Sequence, residues 1–164
     1  MKLRKLELKD APFMEEGMKD EKVNCFFRFE ADKITKQSVI GFITDNQNIG
    51  NSYHFAIADD NDMYLGTVSL KNVDLVSKNG EYAISLRSCA QGIGAGRFAT
   101  NEILKFAFEN LKLERVYLNV LTENKHAIHF YKKFGFIYEG EFYHHVSIKG
   151  ELKSLKWFRM MKCE

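Results

Sequence analysis

The absences in this 164-residue chain narrow its function first. It holds three cysteines, Cys25, Cys89 and Cys163, odd in number and far apart, with no Cys-x-x-Cys and no His/Cys cluster. That usage predicts neither a metal site nor a disulfide framework, and it fits a reduced cytoplasm. No apolar stretch approaches the length of a membrane span. Met1-Lys2-Leu3-Arg4-Lys5 carries charge with no apolar run behind it, so no secretory signal is expected. Charge is nearly balanced, 24 Lys and Arg against 22 Asp and Glu, and a net +2 implies no general affinity for nucleic acid. Repeats, linkers and low-complexity segments are missing, and Pro12 is the only proline.

What is present is apolar and aromatic. A hydrophobic content of 45% with 14 phenylalanines excludes a disordered chain. The length suits one domain with a good core, over residues 1–164.

The stretch around which the rest is arranged is Leu86 to Phe108. A short strand, Glu81 to Leu86, runs into Arg87-Ser88-Cys89-Ala90-Gln91-Gly92-Ile93-Gly94-Ala95-Gly96. Ile103, Leu104, Ala107, Phe108 and Leu111 then recur at helical spacing. A glycine turn that opens a helix directly after a strand leaves backbone amides bare beside a partial positive charge. That suits a phosphate, above all a pyrophosphate. The turn lacks the Gly-Lys-Ser/Thr of a P-loop, since Gly94 is followed by Ala95-Gly96-Arg97, so nucleotide triphosphate hydrolysis is not expected. It reads G-x-G-x-G rather than the G-x-G-x-x-G of a dinucleotide loop, and Glu123 falls late for the acid wanted roughly 20 residues on.

In chain order, Leu3 to Leu8 alternates apolar and charged residues and predicts a first strand. Asp10 is expected to cap a helix, with Pro12 in its first turn and Phe13, Met14 and Met18 inward. Between Lys19 and Asn51 the pattern weakens. Asn24 to Phe29 is aromatic, Thr35 starts a helix through Ile43 with Ile34 as its staple, and residues 45–51 are a polar loop. This segment is either a substrate cover or a plain helical layer. Tyr53 to Ala58, Tyr64 to Leu70 and Glu81 to Leu86 predict an antiparallel meander, with Asn79-Gly80 as a hairpin turn or Asn72 to Lys78 as a longer excursion before it. Arg115 to Leu121 is apolar on both faces, hence central and parallel to the strand before the helix. A second helix runs from Asn124 to Phe134 and stops at Gly135. Phe136 to Ser147, a turn at Lys149-Gly150 and Leu152 to Met161 make a terminal hairpin.

This order, with Gln91-Gly92-Ile93-Gly94-Ala95-Gly96 and Asn124-x-x-Ala127-x-x-x-Tyr131-x-x-x-Gly135-Phe136, resembles the GNAT family of acetyl-CoA-dependent N-acetyltransferases over essentially the whole chain. The ending Tyr138-Glu139-Gly140-Glu141 with Ile148-Lys149-Gly150-Glu151 is similar to the branch of ribosomal-protein alanine, polyamine and nucleotide-linked amino-sugar acetyltransferases. The resemblance implies an α/β fold: a mixed, mostly antiparallel sheet of about seven strands with helices on both faces. It implies acetyl-CoA as co-substrate, no metal, and a primary amine as acceptor, on a small molecule or a protein N-terminus. It implies the backbone of Gln91, Gly92, Ile93, Gly94, Ala95 and Gly96 on the pyrophosphate. Leu86 and Arg87 would hold the acetyl carbonyl and pantetheine arm by backbone atoms, Asn124 the pantetheine, and Asn119 and Ala127 join them on the cofactor. Cys89 stands where the family carries Arg or Gln, with Arg87 as the candidate replacement. A homodimer through the terminal hairpin is also implied.

The chemistry sets three demands. An amine with a pKa of about 10 must lose a proton before it has a lone pair. Backbone donors must hold the carbonyl oxygen as charge develops. The leaving thiolate needs an acid. Tyr131 is the expected acid, and Glu81 the expected base, draining the proton through water. His54, Glu139 and Glu141 are other candidates for base. An acyl-Cys89 route wants a histidine beside it, and none is visible. An acidic pocket from residues 20–55 would favour a polyamine. Phe26, Phe27 or Tyr53 in that pocket would favour a sugar nucleotide. A non-catalytic CoA-binding regulatory module is the alternative from another class.

Overall fold

The computed structural model describes residues 1–27 and 31–163. Arg28 and Phe29 of the aromatic stretch lie outside the described residues. Seven strands among the described residues form one sheet, in the order β1-β2-β3-β4-β5-β7-β6. They are β1 (Lys2–Arg4), β2 (Tyr53–Ala58), β3 (Tyr64–Asp74), β4 (Asn79–Leu86), β5 (Arg115–Leu121), β6 (Ile137–Ile148) and β7 (Glu151–Met161). Only β4 and β5 run parallel; all other neighbours are antiparallel.

Side-chain alternation gives the sheet two different faces. Leu70, Tyr82, Val116, Leu118 and Phe158 project to one face and are buried. There they meet α4 (Ala95–Lys105, prolonged by a wider turn over Phe106–Asn110) and α5 (Lys125–Phe134). On the opposite face Ala56 and Tyr64 pack with Leu6, Ala11, Met14, Val39 and Ile43. This second cluster seats α1 (Ala11–Lys19) and α3 (Lys36–Gly41, prolonged over Phe42–Asn46) above β1 to β3, beside the short α2 (Glu21–Asn24). Thr35 caps α3 by accepting from Ser38 N at 3.1 Å. The helical layers thus cover both faces, and the middle of the α1/α3 face is left polar.

Three local expectations are corrected. The first strand stops at Arg4, because Arg4 turns inward to a buried partner. That partner is Asp10, whose carboxylate does not cap α1. It accepts from Arg4 at 2.7 and 2.8 Å and from Glu7 N at 2.9 Å, at 1% exposure. Asn79-Gly80 is not the hairpin turn. The turn occupies residues 75–78, and its first amides are held by Asp74. Gly80 already lies in β4, where a Cβ would meet Leu113 and Val73 at 3.3 Å. It is a packing glycine.

Two predictions follow from this packing. Removing one partner of a buried ion pair strands the other, so Asp10→Ala should cost about 3 kcal/mol in urea unfolding. A loss below about 1 kcal/mol would show that Arg4 finds water instead. Gly66, opposite Leu86, has no room: a Cβ there would lie 2.4 Å from Ser85 O. Gly66→Ala must push β4 aside and should lower stability by about 1–3 kcal/mol, whereas an unchanged unfolding midpoint would mean that β4 yields freely.

Candidate active site

The site begins where the two parallel strands part. β4 pairs with β5 only from Asn79↔Arg115 to Glu81↔Tyr117. Beyond that rung β4 stays on β3 as far as Gly66↔Leu86, while β5 follows β7 as far as Leu121↔Leu155. Arg87 N donates to Leu65 O at 2.9 Å, which fixes the parity of the ladder. Odd-numbered β4 residues turn their backbone groups to β3, and Ile84 and Leu86 turn theirs toward the gap. Gly66 allows β4 to lie this close to β3 at the gap's end.

The glycine turn closes the same end. After a tight turn over Ser88–Ala90, residues Gln91 to Gly94 lie exposed and α4 starts at Ala95, which is 1% exposed. Gly92 (φ 78°) and Gly94 (φ 87°) are left-handed, and a Cβ on either would meet nothing within 4 Å. Their need for glycine is therefore conformational. Gly96 differs: Leu86 and Phe130 stand 3.4 and 3.7 Å from where its Cβ would be, so it spaces α4 from β4 and α5. The first amides of α4 have no partner within the helix and point its positive end at the turn. Tyr82 ties β4 to this helix by its hydroxyl, 2.9 Å from Thr100 Oγ1, which in turn donates to Gly96 O at 2.6 Å.

α5 supplies the third wall. Asn124 Oδ1 caps it by accepting from Ala127 N at 3.1 Å, which leaves the side-chain NH2 free of that bond. Gly135 (φ 119°) ends it, donating to Tyr131 O and Lys132 O. Ala127, Ile128 and Tyr131 lie on its inner face. Tyr131 is 8% exposed and ringed by Tyr82, Phe130, Phe136 and Phe158 at 5.5–6.4 Å. Its hydroxyl has no hydrogen bond among the described residues. Burial pushes its pKa far up, so it stays protonated at any working pH.

Glu81 lies on the other face of the sheet, at the last rung before the strands part. Lys71 Nζ stands 3.2 Å away, Asn72 Nδ2 donates at 2.9 Å and Asn119 Nδ2 at 3.4 Å. Tyr131 and Glu81 thus flank the gap from opposite faces. Of the other candidate bases, His54 is half-buried against Ser69 Oγ at 2.7 Å and Phe42, and burial with the Lys71 charge lowers its pKa. Glu139 is paired with Arg115 at the far end of β5, and that guanidinium lowers its pKa. Glu141 accepts from Thr122 Oγ1 at 2.6 Å.

Two expected positions are engaged elsewhere. Arg87 N and O are bonded to Leu65 O and Ala90 N. Its guanidinium donates to Tyr64 O at 3.1 Å and sits 4.7 Å over Phe13, so it faces α1 and not the glycine turn. Tyr53 packs on Phe106 at 5.4 Å, on the α4 face, away from any acceptor pocket of residues 20–55. Cys89 is exposed. Among the described residues no three His, Cys, Asp or Glu side chains gather as a metal site, and no helix is long and apolar enough to cross a membrane. Sequence reasoning missed Trp157, which stands opposite Asn119 across β5 and β7 and lies against Tyr117 and Phe142.

Comparison with known proteins agrees with this arrangement. Residues 1–137 match the family model of the acetyltransferase (GNAT) domain. A spermidine N(1)-acetyltransferase of Vibrio cholerae is 30% identical over 102 residues, 62% of this chain and 59% of that protein. Its Escherichia coli K12 counterpart is 35% identical over 89 residues, 54% of this chain and 48% of that protein. The chain therefore spans about half to three fifths of these relatives. The N-acetyltransferase p20 of Bacillus licheniformis is 26% identical over 99% of this chain and 93% of its own. The crystal structure of Vibrio cholerae spermidine N-acetyltransferase with CoA and spermine superposes with a TM-score of 0.89, covering 99% of this chain and 95% of that one at 23% identity, a likeness of fold. The family model spans residues 1–137, a range that includes both parallel strands and the glycine turn, and the chain belongs to the GNAT acetyltransferase family.

Proposed function

We propose that the chain is one acetyltransferase domain that moves an acetyl group from acetyl-CoA to a primary amine of the polyamine class by direct transfer. The observation that carries this reading is the convergence of three features at one end of the sheet: the β4–β5 gap, the glycine turn and the buried Tyr131 hydroxyl. The spermidine acetyltransferases among its relatives supply the acceptor class. Cytoplasmic placement, where acetyl-CoA is made, belongs to the same reading. So does pairing of two copies through the terminal hairpin, supported by Tyr138, Phe142 and Tyr143 exposed along the edge strand β6.

In this reading the amides of residues 91–96 hold the pyrophosphate. The gap-facing groups of Ile84 and Leu86 take the pantetheine and the acetyl carbonyl, where charge develops on oxygen. Asn124, with its free NH2, and Ala127 line the arm. Arg87 contributes its fold contacts only. The amine gives its proton through water to Glu81. Its nitrogen lone pair then attacks the carbonyl carbon, the C–S bond breaks with its electron pair on sulfur, Tyr131 O–H protonates that sulfur, and the second proton lost by the nitrogen restores the tyrosine hydroxyl. A fully ionised tyrosine would be useless here, so the upward shift from burial serves the role.

Free thiol should appear when acetyl-CoA and spermidine are mixed with the protein, and Tyr131→Phe should lower kcat about 100-fold. No thiol with spermidine, spermine or other primary amines would refute the reading. Gly94→Val forces a left-handed residue at a cost of about 1–2 kcal/mol. That variant should fold, yet lose the acetyl-CoA-induced rise in melting temperature; a rise equal to that of the parent protein would remove the pyrophosphate from the glycine turn.

A further inference from the structure

Two buried polar atoms beside the gap lack partners among the described residues: Asn119 Oδ1 and Trp157 Nε1. They belong to facing residues of β5 and β7, so both side chains rise from the same face as Glu81. One is an acceptor and the other a donor. A buried polar group without a partner is costly, and such groups are normally met by ordered water or a ligand. An ammonium group only donates and cannot satisfy the indole N–H. Water satisfies both.

We propose that Asn119 and Trp157 are positioning residues that hold one water between the acceptor amine and Glu81. The inference rests on the acetyl-transfer reading above. A water has two lone pairs and two protons, and the site offers one partner for each. Trp157 Nε1–H donates to one lone pair and the acceptor's ammonium N–H to the other. The water's own protons go to Asn119 Oδ1 and to a Glu81 oxygen. On the Asn119 side the geometry permits it: Asn119 Nδ2 is 3.4 Å from Glu81 Oε1. Its amide oxygen is therefore within the span of one water, two hydrogen bonds of about 2.8 Å each. In the step, one proton leaves nitrogen for the water oxygen as another leaves that oxygen for Glu81. The water is regenerated, and the amine is left neutral with its lone pair free.

The surroundings fit a site that receives protons and releases them. Lys71 from β3 faces Glu81, and His54 from β2 sits behind Ser69. Tyr117 from β5 stacks on Trp157 at 5.8 Å and keeps its own proton, because burial and the Glu81 charge raise its pKa. Arg115 and Arg159 both lie against Glu139, at the start of β5. Glu81 is the carboxylate to which Asn119 of the orphaned pair is bonded.

Trp157→Phe removes the indole N–H and keeps a ring in the stack; its melting temperature, and its rise with acetyl-CoA, should match the parent. With spermidine as acceptor, kcat at about pH 7 should fall roughly tenfold. The deficit should shrink as the pH rises through about 10 and approach none above about pH 11, where most of the free amine is neutral and needs no relay. Glu81→Gln should show the same convergence, and the double variant should be no slower than the slower single one. Asn119→Leu should behave like Trp157→Phe. A deficit that stays constant with pH would overturn the proposal in favour of plain packing. So would a deficit seen only with acceptors that carry a hydroxyl or amide, since the pair would then bind the acceptor itself. Parent protein that releases no thiol would instead refute the underlying reading.

Discussion

The structure depends on one separation: β4 leaves β5 after the rung Glu81↔Tyr117. Unpaired strand groups beside a core are costly unless something satisfies them. Here each strand keeps its other neighbour, so the sheet survives. β4 is held to β3 by an unbroken ladder from Lys71↔Glu81 to Gly66↔Leu86 and by the close approach at Gly66. β5 is held to β7 through seven residue pairs. The freed groups of Ile84 and Leu86 face the gap, and α4 and α5 start at its end. A binding slot for an extended, polar-backboned ligand is the direct consequence.

The two faces of the sheet divide the chemistry. On the α4/α5 face Tyr131 packs among the rings of Tyr82, Phe130, Phe136 and Phe158, and burial keeps its hydroxyl protonated. On the other face Glu81, Lys71, Asn72, Asn119, Ser69 and His54 form a hydrogen-bonded polar floor. In the proposed reaction, proton donor and proton acceptor are thereby kept apart in environments of opposite polarity, one on each side of the slot. The same division explains why α1 and α3 cover only β1 to β3: Ala56 and Tyr64 give them an apolar seat, and the strands beyond do not.

Much of this was legible in the sequence wherever the cause is local. The glycine turn, the Asn124 cap and the Gly135 stop depend on neighbours within a few residues, and the structure matches them. β5 is central and parallel to β4 as read, but only its Val116, Leu118 and Val120 face is fully buried, while Tyr117 and Asn119 lie half-buried on the polar face. The failures have distant causes. Asp10 reads as a cap until Arg4 takes its carboxylate. Asn79-Gly80 reads as a turn, but Gly80 answers to Leu113 and Val73. Arg87 reads as the replacement for Cys89 at the glycine turn, yet its guanidinium is held by Tyr64 and Phe13, across the sheet and on α1. Trp157 carried no motif. Only the β5–β7 register sets it opposite Asn119, and only burial shows that both have polar atoms to satisfy.

The central claim is that the parted strands and the glycine turn form one slot for acetyl-CoA. Amide hydrogen exchange, with and without acetyl-CoA, tests it residue by residue. The account predicts slowed exchange at Ile84 and Leu86 in β4 and at residues 92–97 of the turn and first helical turn, with the β6 edge unchanged. Slowing confined to other elements, or absent while the ligand binds, would contradict it.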